Sequence, residues 1–377
     1  MKPLNTTLPT SQSLLPTLGI DEQHSNTDQN NITLPYFEVS KNSKQLKHQI
    51  EQTKTIKITE DNHNIAIEYL KKQSGIIECT IYFPRTRSIL PREALEICEL
   101  FQERITSLKW ELLTENPDFV KVISKLQNLK SLSIMREIRF EHIEEIINNM
   151  PCLIKLKLIN INIDAEEVKL AKAIATLKHL EVLDLSGCNI GYVVVKAIAT
   201  MPCLKALHLS GCNIGYVGVK AIATMQCLEI LNLSWNKKIC DLSAKIISTM
   251  PCLKALDLSG CNIGYVGVTA IATIPCLTEL NLASNMIEYK MAKIISAMPC
   301  LTKLDLSHNN IGIEGVIEIL QAKAFSNLNL SWNYLELSAE LMEPEASKLY
   351  MIKYARNLGI NEDCLTTLVA NLNHAVI

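Results

Sequence analysis

The sequence predicts an α/β solenoid, a stack of strand–turn–helix–turn coils with a parallel sheet on its concave face and helices on its convex face. Two observations carry that prediction. Residues 201–224 and 250–273 are the same stretch of 24 residues, differing only at His208/Asp257 and Lys220/Thr269. In addition, the last apolar position of a Leu-x-x-Leu-x-Leu unit recurs at Ile134, Leu158, Leu185, Leu209, Leu233, Leu258, Leu282, Leu306 and Leu330, at intervals of 24 residues with an occasional 25 or 27. A period of that length supplies one strand and one helical segment per unit.

Within a unit, Leu204, Leu207 and Leu209 point inward from a strand, and Ser-Gly-Cys-Asn-Ile turns the chain. Val219, Ile222 and Ala223 then recur at helical spacing and face the same interior. Proline after the helix (Pro151, Pro202, Pro251, Pro275, Pro299) cannot continue it and starts the return to the next strand. Helices need about 10 Å of width and strands only about 4.8 Å, so the stack fans open with its helices outside.

The register extends backwards to Ile58, Phe83 and Trp110, giving twelve strands. Four regions follow: a largely disordered polar segment over 1–50, capping and degenerate repeats over 51–104, the solenoid over 105–340, and a helical cap over 341–377. Terminal coils of a stack are expected to be atypical, because an uncapped end leaves an apolar face in water.

Forty-eight percent apolar residues supply a continuous core, while a net charge of −2 and a pI near 6.5 give no electrostatic footprint for nucleic acid. No N-terminal apolar run reads as a secretory signal and no stretch approaches the length of a membrane span. The expectation is a cytoplasmic protein with no membrane partner.

Nine of the thirteen cysteines fall in two repeat columns. Cys152, Cys203, Cys227, Cys252, Cys276 and Cys300 precede the first leucine and read as small buried apolar groups; Cys188, Cys212 and Cys261 share a turn position with Asn236, Asn285, Asn309 and Asn333. At that turn an amide bonds backbone groups that the sheet no longer serves, and a thiol does so more weakly. No Cys-x-x-Cys spacing, Ser/His/Asp set, paired carboxylate or phosphate loop stands outside the columns, so no metal, cofactor, small-molecule substrate or catalytic residue is expected.

Candidate binding residues occupy two columns. Between the second and third leucines stand Lys157, Asp184, His208, Asn232, Asp257, Asn281, Asp305 and Asn329, expected as an exposed, mildly acidic ladder on the concave face. At the strand exit, Trp235 and Trp332 replace the glycines found at 187, 211 and 260, with His308 beside them. Tryptophan on a rigid rim is the side chain that most often anchors a partner, and local packing against the next turn is its plain alternative.

The unit Leu-x-x-Leu-x-Leu-Ser-x-Cys/Asn-x-Ile-Gly-x-x-Gly-Val-x-Ala-Ile-Ala resembles leucine-rich repeats of the ribonuclease-inhibitor-like class, and is most similar to the GALA-type repeats of bacterial effectors, over residues 105–340. The resemblance implies a horseshoe that binds a host protein through its concave face. Two other roles of such solenoids stand as alternatives: a GTPase-activating regulator of the Ran-activating type and a ubiquitin-ligase substrate adaptor. The start of an F-box is suggested by Leu90-Pro91-Arg92-Glu93-Ala94-Leu95, a stretch that also fits a repeat helix. Enrichment in Ile, Asn and Lys resembles an AT-rich bacterial genome, and delivery into a host cell is the corresponding expectation.

Overall fold

The computed structural model describes residues 55–333 apart from 60–61, 78–79, 85–90, 112–117, 136–139, 164–165 and 323–324. The polar segment expected over 1–50 and the helical cap expected over 341–377 lie outside the described residues.

Twelve parallel strands form one sheet in strict chain order. They are β1 (Thr55–Lys57), β2 (Thr80–Phe83), β3 (Ser107–Trp110), β4 (Ser131–Met135), β5 (Lys155–Ile159), β6 (Val182–Asp184), β7 (Ala206–His208), β8 (Ile230–Asn232), β9 (Ala255–Asp257), β10 (Glu279–Asn281), β11 (Lys303–Asp305) and β12 (Asn327–Asn329). Between them run α1 (His63–Lys72), α2 (Pro91–Leu100), α3 (Asp118–Ile123), α4 (Phe140–Asn148), α5 (Glu167–Ile174), α6 (Tyr192–Ile198), α7 (Tyr216–Ile222), α8 (Asp241–Ile247), α9 (Tyr265–Ile271), α10 (Tyr289–Ser296) and α11 (Gly312–Ala322). The result is an open solenoid of the leucine-rich-repeat horseshoe type, sheet concave and helices convex.

Register follows the leucines. Leu156, Leu183, Leu207, Leu231, Leu256, Leu280, Leu304 and Leu328 are matched one to one across successive strands. Sliding one strand by a single residue would turn its leucines to solvent, so burial fixes the alignment. The marker residues from Ile58 to Leu330 and the inward helix positions Val194, Val219, Ala244, Val268 and Ala292 share one continuous buried core. Each large aliphatic side chain removed from water contributes about 1.5–3 kcal/mol.

The core reaches back to Ile56, so the described residues of 55–104 join the same sheet. Helix α2 buries Ala94, Leu95, Ile97 and Cys98 in the common core between β2 and β3. It is the helix of a repeat unit, which removes the structural basis for an F-box there; Leu90 lies outside the described residues.

One column expected inside is outside. Cys152, Cys203, Cys227, Cys252, Cys276 and Cys300 are exposed, whereas Cys188, Cys212 and Cys261 are buried. The exposed set lies in the short turn after each helix, where the following leucine turns into the core and the residue before it faces solvent. An apolar neighbour was the wrong guide; the direction of the turn decides.

Candidate functional site

The strand exit is built on a backbone that favours glycine. Asn160, Gly187, Gly211, Trp235, Gly260, Ser284, His308 and Trp332 occupy one column, and all have φ between 53° and 73°: 55°, 73°, 63°, 57°, 63°, 53°, 54° and 60° in turn. A hydrogen bond to the next coil accompanies this conformation. Gly187, Gly211, Trp235, Gly260, Ser284 and His308 donate their N–H to the carbonyls of Ser210, Ser234, Ser259, Ala283, Ser307 and Ser331 at 2.7–2.9 Å. The stack demands left-handed backbone at this point whatever the side chain. For a residue with a Cβ the conformation costs about 1–2 kcal/mol, and a tryptophan or histidine there is uncommon.

Two aromatic platforms result. Trp235 is 49% exposed and lies flat over the next coil's Gly260, where an added Cβ would sit 2.7 Å from Cδ2 and Cε3 of the indole. His308 and Trp332 stack with ring centroids 5.3 Å apart and planes 7° from parallel, and Trp332 is 45% exposed. Each ring packs on its neighbour, and all three residues remain exposed. The plain alternative of local packing is observed for both tryptophans, and the packed rings stay about half exposed.

The column between the leucines behaves differently from the expected ladder. Asp184, His208 and Asn232 are only 9%, 8% and 9% exposed, and Asp257, Asn281, Asp305 and Asn329 are partly buried. Their Oδ1 atoms accept the backbone N–H two residues on: Ser186 to Asp184 at 3.0 Å, Ser234 to Asn232 at 2.9 Å, Ser259 to Asp257 at 2.9 Å, Ala283 to Asn281 at 2.9 Å, Ser307 to Asp305 at 2.8 Å and Ser331 to Asn329 at 3.2 Å. Hydroxyls of Ser186, Ser234, Ser307 and Ser331 donate to the same oxygens. These are Asx turns that end the strand, and the correction to the exposed ladder follows from the local chemistry of Asp and Asn. Carboxylate Oδ2 of Asp305 is further engaged by the amide of Asn329 at 3.0 Å.

Burial pushes the Asp257 carboxyl up to about 6, against the Ser259 N–H that stabilises its charge, and the Asp305 carboxylate two strands away adds to the rise. The site therefore places its aromatic rings at the rim and its polar groups below them in an already satisfied row. His208 belongs to that row and not to the platforms.

Beneath the rim, asparagine locks the turn. Asn309 donates through Nδ2 to the carbonyls of Leu282, Leu306 and Ser307 at 2.9, 3.0 and 3.2 Å, and its Oδ1 accepts from the N–H groups of Asn285 and Ile287 at 3.2 and 3.0 Å. Asn236, Asn285 and Asn333 do the same work in their coils. Cys188 and Cys212 donate to the preceding coil's Leu158 and Leu185 carbonyls at 2.9 Å, with a longer contact to their own Ser186 and Ser210 carbonyls.

A further exposed apolar row escapes the sequence reading. Tyr192, Tyr216, Tyr265 and Tyr289, with Val193, Val217, Leu242 and Val266, stand exposed at the starts of successive helices. Its signal is the Gly-Tyr-Val triplet at 191–193, 215–217 and 264–266, which periodicity assigns to a helix without saying that its first turn faces out. Among the described residues, no group of three or more His, Cys, Asp or Glu is placed to hold a metal ion, and no helix is long and apolar enough to cross a membrane.

A leucine-rich repeat family model matches residues 202–263, and a second leucine-rich repeat model matches residues 176–199 and 297–320. No curated protein matches the chain in sequence. Among solved structures, an internalin from Listeria monocytogenes is 18% identical, with 73% of this chain and 85% of that chain covered at a TM-score of 0.41. The mouse RP105/MD-1 complex gives 15% identity, 73% and 53% coverage and a TM-score of 0.42. A plant ice-binding protein gives 20% identity, 57% and 67% coverage and a TM-score of 0.36. Identification of the repeat rests on the family models and on the residues themselves.

Proposed function

Because the chain is a leucine-rich repeat protein, we propose that it is a non-enzymatic scaffold that binds another protein, with Trp235, His308 and Trp332 as anchors on the rim and the concave sheet as the surface below them. One observation carries the reading: three large rings are exposed on left-handed backbone where the other coils carry glycine or the small polar residues Asn160 and Ser284. Stability alone favours glycine at such a φ, so the rings are retained against a folding cost. Rigid aromatic anchors lose little entropy on binding and dominate interface energies.

The test exploits the column's own alternative. A Trp235→Gly/Trp332→Gly variant places the residue of neighbouring coils at both positions and keeps the fold. Full-length wild type and variant are compared in affinity capture, and any partner retained by wild type is then titrated against both. Loss of affinity of about 1,000-fold with a melting temperature no lower than that of wild type supports the reading, since two anchors at about 2 kcal/mol or more each are removed. Equal affinity of the two proteins removes the rim from the interface.

We further propose that the protein is a bacterial effector working in the cytoplasm of a host cell, supported by its Ile-, Asn- and Lys-rich composition and by its repeat type. Fractionation of infected cells decides this: recovery from the host cytosol supports it, and confinement to the bacterium overturns it.

A further inference from the structure

Five of the exposed thiols, Cys203, Cys227, Cys252, Cys276 and Cys300, occupy the same position in five successive coils, those of β7 to β11. Two residues beyond each cysteine the coils are tied together directly. The N–H groups of Glu229, Lys254, Thr278 and Thr302 donate to the carbonyls of Lys205, Glu229, Lys254 and Thr278, each at 2.8 Å. That bonding holds neighbouring coils at about the strand spacing of 4.8 Å. Disulfides form where Cα atoms are roughly 4.4–6.8 Å apart, a range that this spacing of adjacent coils meets.

The row has a built-in control. Cys152 is equally exposed, but the next coil carries His179 at the equivalent position, so its nearest row thiol, Cys203, is two spacings away, about 10 Å and out of range. A second observation places two rungs around one charge: the Lys254 ammonium is held above its usual pKa first by Glu229 and then also by Cys252 and Cys276, thiols of successive coils.

We propose that this row is a site of oxidative modification, at which a peroxide converts neighbouring thiols into disulfides joining one coil to the next along the edge where the chain enters the sheet. The chemistry balances in two steps. A thiolate attacks the peroxide, giving a sulfenic acid and releasing the alcohol or water of the leaving oxygen; the neighbouring thiolate then displaces hydroxide from that sulfur, and one water is formed with the proton it had carried. Each bridge consumes two thiols and one peroxide. Five thiols admit two bridges at a time and leave one free, so the wild-type row yields a mixture of pairings. Closing loops of 24 or 25 residues, the bridges fix the separation of coils directly below the concave surface. The inference does not depend on the role of the tryptophan rim.

The test treats the reduced full-length protein with hydrogen peroxide, blocks remaining thiols with N-ethylmaleimide, and maps cysteine peptides by mass spectrometry. Expected are intramolecular bridges only between adjacent members, Cys203–Cys227, Cys227–Cys252, Cys252–Cys276 and Cys276–Cys300, with Cys152 alkylated. Cys252→Ser should resolve the mixture into Cys203–Cys227 and Cys276–Cys300. A Cys227→Ser/Cys276→Ser variant leaves thiols only at alternate coils, and its row should alkylate completely. Three results would overturn the proposal: row thiols that alkylate singly after oxidation or climb to sulfinic acid, bridging undiminished in the double variant, or cross-links found only between molecules.

Discussion

In the coils up to β5, the column between the second and third core positions reads Lys57, Tyr82, Lys109, Ser133 and Lys157, and strands β4 and β5 run five residues; from β6 onward it reads Asp184, His208, Asn232, Asp257, Asn281, Asp305 and Asn329, and every strand is three residues long. Strand length in these coils follows the residue that stands in this column. Where Asp or Asn captures the N–H two residues on, the chain leaves the sheet at once; in β4 and β5, where Ser or Lys stands instead, Met135 and Ile159 continue the ladder, although β1 ends at Lys57 as well. His208 lacks that geometry, yet β7 ends with its neighbours, so flanking coils impose their length on a coil between them.

The two regions also satisfy the turn differently. C-terminal coils use Asn236, Asn285, Asn309 and Asn333, whereas the coil after β5 has buried Ile161 at the equivalent place. On the sheet face the early coils form a local network, with Lys109 paired to Glu111 at 2.9 Å and its ammonium 4.3 Å from the Tyr82 ring centre, and the Tyr82 hydroxyl donating to Glu111 at 2.8 Å. Their interior uses large aromatic markers, Phe83 and Trp110, packed edge-on at 5.1 Å, where the later coils repeat leucine.

Asn309→Ala strands five backbone partners in the interior and should cost at least about 3 kcal/mol in urea unfolding; a loss below about 1 kcal/mol would mean that the amide ladder is incidental and that leucine packing alone holds the later coils. Gly260→Ala forces a Cβ onto left-handed backbone and into the Trp235 ring, and should cost about 2 kcal/mol while changing the near-ultraviolet signal of that indole. An unaltered tryptophan signal would contradict the flat seating.

Asp257 sharpens the contrast with the asparagine-bearing strands. Its carboxyl titrates at about 6, above the unfolded value of about 3.9, so the native state binds the extra proton between roughly pH 4 and 6. Stability therefore falls as pH rises through that window, and the full penalty is present above it. Asp257→Asn, which installs the residue of β8, β10 and β12, should gain on the order of 1–2 kcal/mol at pH 7.5 and nothing at pH 3.5. A gain that is the same at both pH values would assign the effect to something other than ionisation. The smallest expected effect is that of Lys157→Asn in β5, below about 0.5 kcal/mol. It should move the backbone shifts of Leu158 and Ile159 out of the β range as the strand shortens, and unchanged shifts would separate strand length from the Asx turn.

Core and topology were legible because Leu183, Leu207 and Leu231 obey a single period, and burial leaves no second way to align them. The turn asparagines were legible for the same reason: one position with one chemistry recurs in coil after coil. The columns that misled are those where direction, not composition, decides exposure. Cys203 and Cys227 look like core residues by type, and Asp184 and Asn232 look like surface by type. A local turn reverses each inference. The left-handed backbone under Trp235 was visible only as a glycine missing from its column, a hint whose meaning required the inter-coil hydrogen bond to Ser259.

The near-identity of the coils at β7 and β9 has a genetic consequence. Recombination between the two coding stretches excises residues 201–249 and joins Thr200 to Met250, and β6 then abuts β9 with every leucine still aligned. The product keeps His308 and Trp332 and loses Trp235, and the reciprocal product carries Trp235 twice. Unequal exchange can thus lengthen or shorten the molecule, and change how many indoles it displays, without passing through a chain that fails to fold.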